Sequence, residues 1–211
     1  MKIVVISPIQ HKYSNEIEII TKLFEKGLST YHLRKPFFKF PAMTNFLKEI
    51  PEAYHNRLVL HSHHSLIRKF NLEGVHYTHV HLEPTFRNWW NNKRLASHIS
   101  RKTQTSSCKK LAELNTLGDK HYSYVFLSPI FDSITGKFQS GYYEDSIKST
   151  LRKTATRVVA MGGIDINRIE QIKDLGFYGM ALNNCLWGKE NPVEEYEKVI
   201  ERCKELDILL T

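Results

Sequence analysis

Val158-Val159-Ala160-Met161-Gly162-Gly163-Ile164-Asp165 is a short apolar run closed by two glycines, and a helical pattern follows it over 166–174. A strand covered on both faces of a parallel sheet reads this way, as a near-continuous apolar run rather than an alternating one. Paired glycines at its end let the backbone approach a ligand that a Cβ would exclude. Asp165 stands where it can cap the next helix, whose unpaired N–H groups and positive dipole end favour an anion. The stretch predicts a strand–turn–helix unit with an anion-binding turn.

Outward from it, the same unit recurs. Ile3–Ser7 reads as a strand, and Glu16–Lys26, with Ile17, Ile20, Leu23 and Phe24 on one face, as a helix ended by Gly27. Further strands are predicted at Thr30–Arg34, Arg57–His61, Gly74–Tyr77, Arg94–Ser100, Tyr122–Ser128, Arg157–Met161 and Tyr178–Leu182. Helical segments are predicted at Thr44–Glu49, Ser65–Phe70, Ser106–Leu114, Asp145–Leu151 and Ile166–Asp174, with a closing helix from near Pro192 to Leu206. Eight such units in 211 residues predict an α/β fold, a single (β/α)8 TIM barrel domain over 1–211. A doubly wound open sheet would carry fewer strands and a glycine-rich turn after the first, and Ser7-Pro8-Ile9 has no glycine.

Composition narrows the partners. The net charge is +8, yet Lys and Arg are scattered with no run of five. Neither a basic stripe nor a recognisable nucleic-acid module is present, so nucleic acid is not expected as a partner. A solvated surface accounts for the charge most simply, and a field that draws phosphorylated small molecules is the second reading. Cys108, Cys185 and Cys203 are odd in number and lack CxxC spacing, which argues against a disulfide framework or zinc–thiolate site and points to a reducing cytoplasmic setting. No apolar stretch approaches the roughly 18 residues of a membrane span. A homo-oligomer is compatible with the sequence but not specified by it.

In barrels of this kind the chemistry sits at the C-terminal ends of the strands. Those ends offer Arg34 and Lys35 after the second; His61, Ser62, His63 and His64 after the third; and His76, His79 and His81 after the fourth. Ser100 closes the predicted fifth strand. Ser128-Pro129-Ile130-Phe131 follows the sixth, with Ser133, Thr135 and Lys137 beyond it. Gly162-Gly163 follows the seventh and Asn183-Asn184 the eighth. Rich in cations, hydroxyls and backbone donors and poor in carboxylates, this set suits phosphate or pyrophosphate and not a two-carboxylate glycosidase. Loops after strands seven and eight commonly hold phosphate, although paired glycines also serve simply to turn a strand into a helix. Imidazole suits zinc, copper or iron, but no HExxH or other ordered ligand set is present, so satisfied or surface histidines are the simpler reading. Trp89-Trp90 is read as a packing pair.

Taken in order, Tyr31-His32-Leu33-Arg34, Gly74-Val75-His76, Ser128-Pro129-Ile130-Phe131 and Val159-Ala160-Met161-Gly162-Gly163-Ile164 resemble the thiamine-phosphate synthase family, whose relatives include the thiazole tautomerases. The resemblance covers essentially the whole chain. It implies a transferase of thiamine biosynthesis that joins hydroxymethylpyrimidine diphosphate to thiazole phosphate and releases pyrophosphate, the C–O bond breaking before the thiazole nitrogen captures the cation. It implies catalytic roles for Arg34, Ser100 and Lys137. The substrate-binding residues it implies are His32, Lys35, His61, Ser133, Thr135, Gly162, Gly163, Asn183 and Asn184. It also implies Mg2+ as cofactor.

Against the family pattern, His32 replaces a glutamine and Pro36 a lysine, with Lys35 one place early. Gly136 replaces the loop lysine, with Lys137 one place late. His61-Ser62 stands for an Asn-Asp pair and His81 for a second aspartate, so both expected magnesium carboxylates are absent. Three alternatives follow: Mg2+ arrives on the diphosphate, His61 and His81 hold another metal, or the transfer is lost. The competing functions are a thiazole-phosphate tautomerase, with His61 or His81 relaying a proton, and a non-catalytic relative that binds a phosphorylated ligand. Pro129, where known tautomerases carry a histidine, counts against the former.

Overall fold

Eight strands hydrogen-bond in sequence order and the eighth returns to the first, so the sheet closes as a barrel. They are β1 (Lys2–Ile6), β2 (Thr30–Leu33), β3 (Leu58–Leu60), β4 (Gly74–Tyr77), β5 (Thr103–Cys108), β6 (Tyr124–Leu127), β7 (Val158–Met161) and β8 (Gly179–Leu182). The computed structural model describes residues 1–9, 15–116, 121–132, 137–138 and 142–211. The chain divides into two units, one of Ile6–Ser106 and one of Met1–Val5 with Ser107–Thr211.

In the first unit, β2, β3, β4 and the start of β5 lie parallel, with His32 beside Val59, Leu60 beside Val75, and His76 beside Thr105. Helix α1 (Glu16–Glu25) buries Ile19, Ile20, Leu23 and Phe24, and the Phe24 ring meets Tyr31 of β2 edge-on at 6.2 Å. Tyr31 and Leu33 therefore belong to the helix-facing side of β2, and alternation turns His32 to the other side. Helix α2 (Phe40–Glu49) begins with Pro41 in its first turn, where the missing N–H has no partner to lose. Beyond β4 lie a single turn α3 (His79–Leu82) and then α4 (Phe86–Ile99), capped by Thr85 accepting from the Asn88 N–H.

Helix α4 overturns one expectation. Residues 94–100 are the end of a helix and its C-cap, not a strand, and the strand in that unit is β5, whose last three residues fall in the segment Ser106–Leu114 read as helix. Among the described side chains of α4, Leu95 and Ile99 are the buried ones, four residues apart, so its apolar signal is one narrow stripe. Strand β5 reads TQTSSC, and its buried Thr105 and Ser106 are hydroxyl residues, so no apolar run marks it. Trp89 and Trp90 are 53% and 48% exposed and stack with Phe86 along the same helix, rather than filling a core.

In the second unit β6, β7, β8 and β1 are parallel, with Val159 beside Gly179 and Lys2 beside the same glycine. Around them run α5 (Leu111–Asn115), α6 (Glu144–Lys153), α7 (Ile169–Leu175), α8 (Asn184–Trp187) and α9 (Pro192–Glu205). Asp165 caps as expected, its carboxylate accepting from the Asn167 N–H at the start of a single 3-10 turn that leads into α7. The cysteines are free thiols. Among the described residues no helix is long and apolar enough to cross a membrane.

The glycine turn after β7 is sterically compelled. Gly162 and Gly163 have φ of 95° and 66°, and a Cβ on Gly163 would lie 2.5 Å from the Phe131 carbonyl oxygen. Gly27, at φ 94°, has no heavy atom within 4 Å of the same position. Gly27→Ala is therefore expected to cost only the left-handed backbone penalty, about 1–2 kcal/mol, and Gly163→Ala measurably more. Urea unfolding of the two variants checks the order, and equal losses would show that Phe131 yields without cost.

Candidate functional site

Three imidazoles meet in the first unit. His32 is the inward residue of β2, His61 follows β3 directly and continues its alternation, and His76 is the inward residue of β4. All three are buried. Nδ1 of His32 lies 2.8 Å from Nε2 of His61, so one of these nitrogens donates to the other. The His61 and His76 rings stack with centroids 4.1 Å apart, and Nδ1 of His76 lies 2.9 Å from the Thr105 hydroxyl on β5. Among the described residues this is the one group of three metal-ligating side chains whose ligand atoms lie within 4.8 Å of one another.

A second pair flanks the trio. His64 stacks on His81 at 4.4 Å, with its Nε2 against the His76 carbonyl. Nδ1 of His81 is held by Thr78, accepting from its N–H and meeting its hydroxyl at 2.8 Å. His61 and His81, expected together as metal ligands, thus fall into different pairs, and His61 is grouped with His32 and His76 instead. A cleft of about 860 Å³ runs past this second pair, lined by His64, Arg68, His81, Glu83 and Arg94.

Burial favours the neutral form of His61, His64, His76 and His81. It pushes His61 well below the ordinary histidine value, helped by its neighbours His76 and His32 and by the nearby Arg34 charge. His64 and His76 are each pushed down to about 3, again chiefly by burial, with His81 adding to it for His64 and His64 adding to it for His76. His81 is lowered by burial and by His79. The cluster therefore offers hydrogen bonds and lone pairs, not positive charge.

Positive charge comes from Arg34. Its backbone is clamped by Ser7 of the same unit, whose hydroxyl accepts from the Arg34 N–H at 2.8 Å and lies 3.0 Å from the Arg34 carbonyl. The Arg34 side chain is exposed at the end of β2. Lys35 behaves differently from the sequence expectation. Its side chain is fully buried, and its ammonium donates to Glu16 at 2.7 Å and to the Pro8 carbonyl at 2.9 Å, near the Phe38 and Phe46 rings. Burial lowers the Lys35 pKa while Glu16 opposes the shift. An ammonium committed in this way braces the loop after β2 and does not reach outward to substrate.

Ser100 is also displaced from its expected place. It caps α4 ahead of β5, so it lies at the N-terminal end of that strand, opposite the end where it was expected. The hydroxyls at the C-terminal part of β5 belong to Thr105, Ser106 and Ser107, and Ser106 donates to the Tyr77 carbonyl. Their polar strand gave no apolar signal to mark them. His76 was noted at the strand ends but read as a satisfied or surface histidine rather than as a site residue, although its inward place in the Gly74–Tyr77 strand was legible.

In the second unit, Gly162 and Gly163 turn beneath the segment after β6. The Gly162 carbonyl accepts from the Phe131 N–H, and the Met161 carbonyl from that of Ile130. Asn183 starts α8 as its N-cap and Asn184 is exposed in its first turn. Lys137 is exposed, and its carbonyl accepts from the Asp132 N–H. Ser133 and Thr135 lie outside the described residues.

Neutral buried histidines tie stability to pH. Their folded pKa lies below the unfolded value near 6.5, so the stability they confer is complete above that value and is lost as pH falls toward 3. His64 and His76 are each expected to contribute a slope of about 1.4 kcal/mol per pH unit between pH 6.5 and 5, above the carboxylate range. Urea midpoints at pH 7 and pH 5 measure it, and a flat profile would mean the rings open to solvent before unfolding.

Comparison with known proteins agrees with this architecture. Residues 3–186 match the family described as thiamine monophosphate synthase. Thiamine-phosphate synthase of Prochlorococcus marinus (strain AS9601) is 20% identical over 186 residues, covering 88% of this chain and 48% of that protein. The chain thus spans about half the length of that curated relative. Among solved structures, thiamine phosphate pyrophosphorylase of Bacteroides thetaiotaomicron is 29% identical, with a TM-score of 0.75 over 97% of this chain and 98% of that one. The Pyrococcus furiosus thiamine phosphate pyrophosphorylase, 15% identical at a TM-score of 0.76 over 97% and 96%, shares the fold. With the match running through all eight strands, this chain belongs to the thiamine monophosphate synthase family.

Proposed function

We propose that the chain joins hydroxymethylpyrimidine diphosphate to thiazole phosphate with release of pyrophosphate. The observation that carries this reading is Arg34, a backbone-clamped, solvent-facing guanidinium at the end of β2, in a chain of this family. In a dissociative transfer the diphosphate oxygens gain charge as the C–O bond breaks. A guanidinium extending from a held backbone can donate two parallel hydrogen bonds to such oxygens and stabilise them most in the transition state. The uncharged His61 and His76 rings, with His32 bonded to His61, supply a polar face beside it that does not compete with Arg34 for the anion. Gly162, Gly163, Asn183 and Asn184 of the second unit supply backbone and amide donors suited to the phosphate of the thiazole substrate.

Mg2+ does not fit the residues that stand at its expected positions. There the chain has the His61 imidazole, the buried Ser62 hydroxyl and the His81 ring held by Thr78. Magnesium takes oxygen ligands in an octahedral shell, and no carboxylate is among these groups. The transfer reading therefore rests on Arg34 for charge neutralisation.

The His32–His61 hydrogen bond favours a second reading, a thiazole-phosphate tautomerase, because two imidazoles 2.8 Å apart can pass a proton. Product formation from the two purified substrates separates the readings. Under the transferase reading, thiamine phosphate forms, and Arg34→Ala lowers kcat/KM for the diphosphate about 100- to 1,000-fold, with the KM for thiazole phosphate unchanged. An unchanged rate would remove Arg34 from the site. Interconversion of thiazole-phosphate isomers without thiamine phosphate would move the assignment to the tautomerase.

A further inference from the structure

We infer that His32, His61 and His76 form a binding site for a borderline transition-metal dication of the Zn2+ class, built of imidazoles and not of the carboxylates expected for Mg2+. This goes beyond the transferase reading and stands whether or not that reading does. Three strands in register deliver one imidazole each to the same buried face, from β2, from the end of β3 and from β4. Their ligand nitrogens already lie within 4.8 Å of one another. In a tetrahedral site with Zn–N bonds of about 2.0–2.1 Å, ligand nitrogens stand about 3.3 Å apart. Seating the ion requires Nδ1 of His32 and Nε2 of His61 to part slightly from 2.8 Å and His76 to close in. It also requires the His76 ring to turn out of its near-parallel stack on His61, because the in-plane lone pairs of stacked rings do not converge on one ion.

The proton balance is internal. One proton lies between His32 Nδ1 and His61 Nε2, and the ion takes its place. That proton moves to the distal nitrogen of the ring that carried it, leaving both facing nitrogens as lone-pair donors. With Nδ1 held by the Thr105 hydroxyl, His76 coordinates through Nε2. A hydrogen-bonding partner on the non-ligating nitrogen is the usual means by which a protein fixes the tautomer and aim of a metal-binding histidine. The donor set is all imidazole, which favours Zn2+, Co2+, Ni2+ or Cu2+ over Mg2+. Three protein ligands leave a fourth position for water or a substrate atom, the arrangement of catalytic rather than closed structural zinc sites.

The test is titration of EDTA-treated full-length protein with ZnCl2 by calorimetry, with MgCl2 in parallel. A single Zn2+ per chain at micromolar or tighter Kd, with no Mg2+ uptake in the same range, is the expected result. His61→Gln should abolish that binding. Thr105→Val should weaken it about 10- to 100-fold, as loss of an outer partner does. His79→Gln, an exposed histidine on α3, should leave it unchanged. Should His61→Gln fail to fold, the Co2+-loaded wild type decides: an intense visible spectrum of tetrahedral type supports the site, and a weak octahedral one overturns it. Absence of Zn2+ binding by the wild type, or binding that survives His61→Gln in a folded protein, would also overturn it.

Discussion

Imidazole can be packed between strands only while it is uncharged and hydrogen-bonded, and this condition organises the first unit. His32, His61 and His76 occupy places that in an ordinary barrel would hold Val, Ile or Leu. Each therefore needs a polar neighbour, and each has one: His32 and His61 satisfy one another, and His76 meets Thr105. The second layer repeats the solution, with His64 against the His76 carbonyl and His81 against Thr78. A hydroxyl-rich β5 follows from the same need, because an apolar residue at 105 would leave a ring nitrogen of His76 without this partner. The histidines and the polar strand are two sides of one packing solution.

That solution explains which parts of the fold were readable. β4 was legible residue for residue, and β6, β7 and β8 to within two residues at either end, because their buried apolar side chains announce them. The glycine turn and the Asp165 cap were legible because their residue types have few other uses. β5 was not, since burial of threonine and serine beside histidine leaves no hydrophobic trace. The helix before it was lost for the complementary reason: among its described side chains only Leu95 and Ile99 are buried, while Phe86, Trp89 and Trp90 lie outward and blur the period. Displacing the strand by several residues carried Ser100 into the site and left Thr105 and Ser106 out of it.

How well the surroundings of the expected site residues could be foreseen depended on how much of their environment is local. Arg34 depends on the end of β2 and on Ser7, a short connection that pattern reading locates well. Lys35 depends on Glu16, nineteen residues earlier, and on the Pro8 carbonyl. A linear reading sees a lysine next to an arginine and assigns both to an anion. Only the fold reveals that one of the two cations is already neutralised. Likewise the partners of His61 are fixed by strand register, and register is not visible in the order of the residues.

The Lys35–Glu16 pair has a consequence for recognition. By tying the residue after Arg34 to the first turn of α1, while Ser7 holds Arg34 on its other side, the fold immobilises the backbone from which the guanidinium extends. The conformational entropy of that segment is spent during folding rather than on association. Under the proposed function, an anion bound there would have only the torsions of one side chain to order, and more of the contact energy would remain available as affinity.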